Sequence, residues 1–242
     1  MTESDVDEIL KQAARAPQSV NPAVLERIAA SMGSSLSPVS PLPPTWALES
    51  GLIAVAIAIA MVGAAKAGFF GILKLNFVER MIVFPALGIL IFLAASAWVG
   101  ENIPGSKRRL TPGALFSITT LGILAVFGVL FRNYETQRFL SSGLICLRVG
   151  LLHAVPTAFL GWLILRRGYA VNAVASGLVA GILAGLAGVT MLELHCPNFQ
   201  ALHVLIWHTA VIPVSAASGA FLAWTFAKRP TVSKQSSFAG FK

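Results

Sequence analysis

Two cysteines and four histidines are the side chains of this sequence best suited to chemistry: Cys146, Cys196, His153, His195, His203 and His208. Two cysteines are too few for a disulfide scaffold, and one bridge is the most they can make. As free thiols they can sense an oxidant or bind a soft metal. His195 adjoins Cys196 and His203 follows close behind, so this stretch offers a thiol–imidazole set suited to zinc or copper. The spacing matches no established metal signature. Cys196, His195 and His203 are the metal candidates, and an inert disulfide or two buried thiols explains the cysteines equally well. Cys146, Cys196 and His195 are the residues expected to sense a signal, if one is sensed.

His153 lies seven residues after Cys146, on the same helix face but about 10 Å deeper. It and His208 read as hydrogen-bond partners of neighbouring helices, with a bis-His haem across two helices as the alternative. No Walker loop, no pair of carboxylates within one apolar run and no His-Glu metalloprotease helix is present. Catalysis is not expected, and no cofactor is expected. Glu193 is the one acid close to the interior of an apolar stretch. Ion-coupled transport generally needs more intramembrane charge than that.

The elements that must position these residues are transmembrane helices. Of the 242 residues 56% are hydrophobic and only 12% charged, half the charge of a soluble domain at about 25%. The mean hydropathy is +0.77. Uncharged runs at 50–65, 81–100, 110–131, 149–165, 168–192 and 201–227 suit a bilayer core of ~30 Å that takes about 20 helical residues. The first is short, but the helix is expected to continue past a snorkelling Lys66 through Phe69 and Phe70. Cys146 then falls just before the fourth span and Cys196 in the turn between the fifth and sixth. The fold class is all-α, an integral membrane six-helix bundle.

Pro85, Pro156 and Pro213 fall inside spans, where proline kinks a helix and frees a carbonyl. Trp46, Trp98 and Trp224 lie near span ends as candidate interface anchors. Gly177, Gly181 and Gly185 form a small-residue ridge on the fifth span, which suits close helix packing at the bundle centre.

The net charge of +8 is written between the apolar runs rather than on one soluble surface, so it encodes topology and not nucleic-acid binding. With the N-terminus inside, twelve of the 18 Lys and Arg residues fall on the cytoplasmic side and six outside. That bias predicts a multi-pass inner-membrane protein with both termini cytoplasmic and both cysteines on the outer side.

Residues 2–32 read as two short amphipathic helices. Ser4 caps the first, whose stripe is Val6, Ile9, Leu10 and Ala13, and Pro17 ends it. Asn21-Pro22 starts the second, with Leu25, Ile28, Ala29 and Met32 apolar. Helices this short need a partner. An acidic segment is repelled by anionic lipid, so a soluble protein partner is favoured over the membrane surface. Val6, Ile9, Leu10, Leu25 and Ile28 are the expected contacts. The organisation is thus a partner-binding segment at 1–32, a Pro/Ser-rich tether at 33–45, the membrane domain at 46–227 and a basic cytoplasmic tail at 228–242.

From Trp46 to about Trp224 the chain resembles the NrsF family of bacterial six-helix membrane anti-sigma factors. The pieces that carry the resemblance are Ile103-Pro104-Gly105-Ser106-Lys107-Arg108, Cys146-Leu147-Arg148, Leu165-Arg166-Arg167-Gly168, the Gly-rich fifth span, Leu194-His195-Cys196-Pro197-Asn198 and Trp207-His208. The resemblance implies a regulator that holds an extracytoplasmic-function sigma factor at the membrane until an envelope signal, redox or metal, releases it. It also implies a signalling role for Cys146 and Cys196. Its partners would be that sigma factor and membrane lipid, without direct contact to nucleic acid. Two other readings are a small-molecule or metal transporter, and a membrane oxidoreductase using the cysteines or a haem on His153 and His208.

Overall fold

The computed structural model describes residues 8, 11, 21–35, 42–103, 105, 110–135, 139–168 and 170–227. The expected cap at Ser4, the stripe residues Val6, Ile9 and Leu10, the stop at Pro17, most of the Pro-rich tether and the tail 228–242 lie outside them. The chain divides into two units, Met1–Pro41 and Leu42–Lys242.

The first unit contains helix α1, Pro22–Ser35. Proline at the first position has no N–H to satisfy, and the Asn21 side chain accepts from the Ala23 N–H at 3.0 Å. Val24, Leu25 and Ile28 are exposed, the last two at 52% and 48%.

The second unit holds six helices long and apolar enough to cross a membrane, and no strand occurs among the described residues. These are α2 (Thr45–Ala67), α4 (Phe77–Asn102), α5 (Pro112–Leu130), α6 (Phe139–Leu165), α7 (Ala173–His195) and α8 (Ala201–Ala227), with a short α3 (Phe70–Lys74) between the first two. The shortest span has 19 residues, about 28 Å at 1.5 Å per residue, close to the bilayer core.

Local chemistry sets the ends. Asn76 and Glu79 exchange side-chain and backbone hydrogen bonds at 2.9 and 2.7 Å, a capping box that opens α4. Thr111 followed by Pro112 opens α5, and Asn172 opens α7 by accepting from the Ala175 N–H at 3.0 Å. Gly68, at φ +102°, ends α2, a backbone state that side-chain-bearing residues avoid. The first span therefore does not continue through Phe69 and Phe70; it gains its length at the other end, from Thr45.

A second difference matters more. α6 begins at Phe139 rather than at residue 149, so Cys146 lies within the helix and not before it. Arg148, which interrupts the apolar run, sits on an exposed face, where a long side chain can carry its charge toward water while the helix continues. Proline 85, 156 and 213 are all inside helices.

α7 is the hub. It packs against each of α2 to α6 and α8, and 67% of its apolar window is buried, against 44% or less in the other spans. Its ridge glycines admit α8: a Cβ at Gly181 would come within 2.7 Å of Ala216 Cα, and one at Gly185 within 2.8 Å of Ile212 Cα. Gly177 meets Gly219 in the same way. Trp98 is not an interface anchor. It is 4% exposed, and its indole N–H donates to Ser176 Oγ at 3.2 Å, the partner a buried indole requires. Asn102 donates to the same oxygen at 2.9 Å. Trp46 and Trp224 are exposed, at 69% and 44%.

Candidate functional site

The first third of α6, the end of α7 and the start of α8 meet at one end of the bundle, opposite the start of α2. The α7–α8 turn is held by Phe199 stacked on Phe131, with centroids 5.1 Å apart, and by the Ala201 N–H donating to Asn133 O at 2.6 Å. Asn198 Oδ1 accepts from the Gln200 N–H at 3.1 Å inside the turn. On the other side Gly71 of α3 comes so close that a Cβ there would lie 2.8 Å from Cys196 O. The turn carrying Cys196 is thus fixed from both flanks.

α6 is seated on α8 through Gly143 and Trp207. The indole lies against the glycine, where a Cβ would collide with it, and its ring packs on Phe139 at 5.5 Å. Gly143 is close to one turn before Cys146, and Trp207 immediately precedes His208, so this contact brings the cysteine to the histidine.

There the two thiols face each other, with Cys146 Sγ 3.4 Å from Cys196 Sγ. Both are free; Cys146 is half-buried and Cys196 buried. Cys196 Sγ also lies 3.7 Å from His203 Nε2. Its hydrogen bond with Cys146, reinforced by burial, holds the Cys196 thiol above its ordinary pKa. His203 and His208 are wholly buried and pack edge to face at 5.2 Å. Residues five apart on an α-helix point about 140° apart. The chain solves this with a π turn at Val204–His208, whose wider i→i+5 winding returns both imidazoles to one side.

Beneath them Glu193 Oε1 takes His208 Nδ1 at 2.7 Å, with neither side chain exposed. Glu193 Oε2 and His203 Nδ1 are buried and make no hydrogen bond, and His208 Nε2, also buried, makes none of good geometry although the Cys196 thiol lies beside it. One ligand atom from each of Cys146, Cys196, His203 and His208 lies within 4.8 Å of all the others.

His195 does not join this set. Its Nδ1 is 2.9 Å from Gly68 O and its ring faces Phe70 at 6.0 Å, so it fastens the α2–α3 turn rather than flanking the thiols. His153 bonds Val149 O at 2.8 Å and fills the space left by Gly63 on α2. It is outside the group that gathers His208. The residues that sequence reasoning left out of the site are Glu193 and His208. The signal for them was a carboxylate and an imidazole in otherwise apolar spans, where each needs a polar partner.

The family model described as "NrsF: Negative regulator of sigma F" matches residues 33–228. No curated protein and no solved structure matches the chain. The match takes in all six spans, the glycine ridge and the whole Cys–His cluster; the chain belongs to the NrsF family.

Proposed function

We propose that this chain is a membrane-held anti-sigma factor that sequesters an extracytoplasmic-function sigma factor and releases it when an envelope signal, redox or metal, acts at the Cys146–Cys196 site. The observation that carries the reading is the match, over residues 33–228, to a family described as a negative regulator of a sigma factor. Residues 1–32 take the gripping role, with Val6, Ile9, Leu10, Leu25 and Ile28 as contacts. In support, Leu25 and Ile28 are exposed on α1, and a 14-residue helix gains stability by laying its apolar side on a partner.

The Lys and Arg bias supports a topology with both termini in the cytoplasm, across a bacterial inner membrane. The Cys146–Cys196 end, opposite the start of α2, then faces the envelope. Oxidation there would form one S–S bond, with two protons and two electrons passing to an oxidant such as a peroxide. α7 spans the distance: Cys196 and Glu193 stand at one end, and Ser176, bonded to Trp98 and Asn102, at the other. Release asks little energy, since tenfold weaker binding is about 1.4 kcal/mol. The action is on the sigma factor, without catalysis and without contact to DNA.

Full-length protein in mild detergent should bring down the sigma factor, and protein lacking residues 1–45 should not. Deleting the gene should raise transcription of the sigma factor's regulon. Equal capture by both forms would remove the tail from the account, and capture by neither would remove the function.

A further inference from the structure

We propose that Cys146, Cys196, His203 and His208 form a zinc site, with Glu193 behind His208 as its supporting carboxylate. The site rests on donor geometry and holds whether or not the chain grips a sigma factor. Only its use as the envelope signal depends on the regulatory reading above.

Four observations converge. The donor set is two sulfurs and two imidazoles, the composition of closed tetrahedral zinc sites. Its ligand atoms already lie within 4.8 Å of one another, drawn from α6, the α7–α8 turn and α8. Zn–S bonds of ~2.3 Å set edges of about 3.8 Å between sulfurs in a tetrahedron; the thiols stand at 3.4 Å and Cys196 is 3.7 Å from His203. The widest separation closes with side-chain movement of about 1 Å.

The third observation is the carboxylate. Metal-ligating histidines commonly donate their second ring N–H to an acid, which fixes the tautomer and aims the other nitrogen at the metal. Glu193 holds His208 Nδ1 in this way at 2.7 Å, leaving Nε2 for the ion. The fourth is that His208 Nε2 is buried and makes no well-formed hydrogen bond, although the Cys196 thiol lies beside it. A buried polar atom left so is destabilising, and coordination would satisfy it.

The ion also offsets charge. Zn(II) binding two neutral thiols and two neutral imidazoles releases two protons and leaves a neutral core of one dication and two thiolates. The Glu193 carboxylate bonded to His208 brings the enclosed group to a single negative charge, where the two thiolates without the ion would make it three. The π turn also gains a purpose, because without it His203 and His208 would face different sides of α8. An ion there would tie α6, α7 and α8 together at one end.

The test uses full-length protein purified in detergent without chelator, with zinc as the probe. One zinc per chain is expected by elemental analysis, and Co(II) in its place should give the intense ligand-field bands of a tetrahedral sulfur–nitrogen site. Zinc should also shield both thiols of the wild-type protein from alkylation, a readout that needs no variant to fold. Cys196→Ser and His208→Ala should lose at least tenfold in zinc affinity, and Glu193→Gln should weaken it roughly 10–100-fold. His195→Ala and His153→Ala should bind as the wild type does. Wild-type protein that takes up no zinc, with thiols alkylated equally fast in its presence, would overturn the proposal. So would zinc lost with His195→Ala and kept with His208→Ala. Neither outcome depends on a sigma factor, so failure here leaves the anti-sigma reading untouched.

Discussion

His208 Nδ1 lies 2.7 Å from Glu193 Oε1, and both side chains are fully enclosed where α7 and α8 meet. Each polar group is there because the other is. Removing one partner of a buried pair typically costs about 3–5 kcal/mol, since its mate is left uncompensated. Glu193→Ala and His208→Ala should each lower the thermal midpoint of the detergent-solubilised protein by that order of free energy. The double variant should lose less than the two single losses added. Strict additivity would show that the two side chains do not interact.

Close approach of α7 and α8 makes the glycine ridge the next sensitive feature. At Gly181 an added Cβ would sit 2.7 Å from backbone carbon of Ala216, so Gly181→Leu must push the helices apart. Overpacking of this kind costs about 1–3 kcal/mol or more. Gly88, on α4, has nothing within 4 Å of its Cβ position, and Gly88→Leu should fall within about 0.5 kcal/mol of wild type. Thermal unfolding in detergent compares the two, and equal effects would contradict the packing described.

At the other end of α7, Ser176 Oγ accepts from both Trp98 and Asn102. Ser176→Ala strands buried donors and should destabilise by roughly 1–3 kcal/mol. The accompanying sign is a change in Trp98 fluorescence, which Ser218→Ala, on the exposed side of α8, should not produce.

The number of spans was legible from apolar run length, because a bilayer imposes that length on any helix that crosses it. Ends were less legible, and Cys146 shows why. Arg148 breaks the apolar run in sequence, but a charge on an exposed helix face does not break the helix, and α6 starts ten residues earlier than the run. The pairing of His203 with His208 was hidden for a different reason: α-helical periodicity sets residues five apart on different faces, and only a π turn reverses that. His195 adjoins Cys196 in the chain yet its ring meets Gly68 O at 2.9 Å, since neighbouring residues in a chain rarely point the same way. The partnership of Glu193 with His208 joins two helices, and no spacing within one helix encodes it.

Leu25 and Ile28 are exposed on α1, so replacing them should change binding and not the bundle. Leu25→Asp with Ile28→Asp should weaken sigma-factor capture at least tenfold, about 1.4 kcal/mol. The thermal midpoint of the membrane domain should stay where it is. A fall in both would mean that these residues support the fold rather than a partner.

The most direct measurement is the amount of sigma factor that co-purifies with the full-length protein from cells before and after an impermeant thiol oxidant is added. Wild-type protein should hold the sigma factor at rest and lose at least nine tenths of it after treatment. Protein carrying Cys146→Ser and Cys196→Ser should hold the same amount throughout. Release that proceeds equally in the double variant, or no sigma factor bound at rest, would contradict the proposed function.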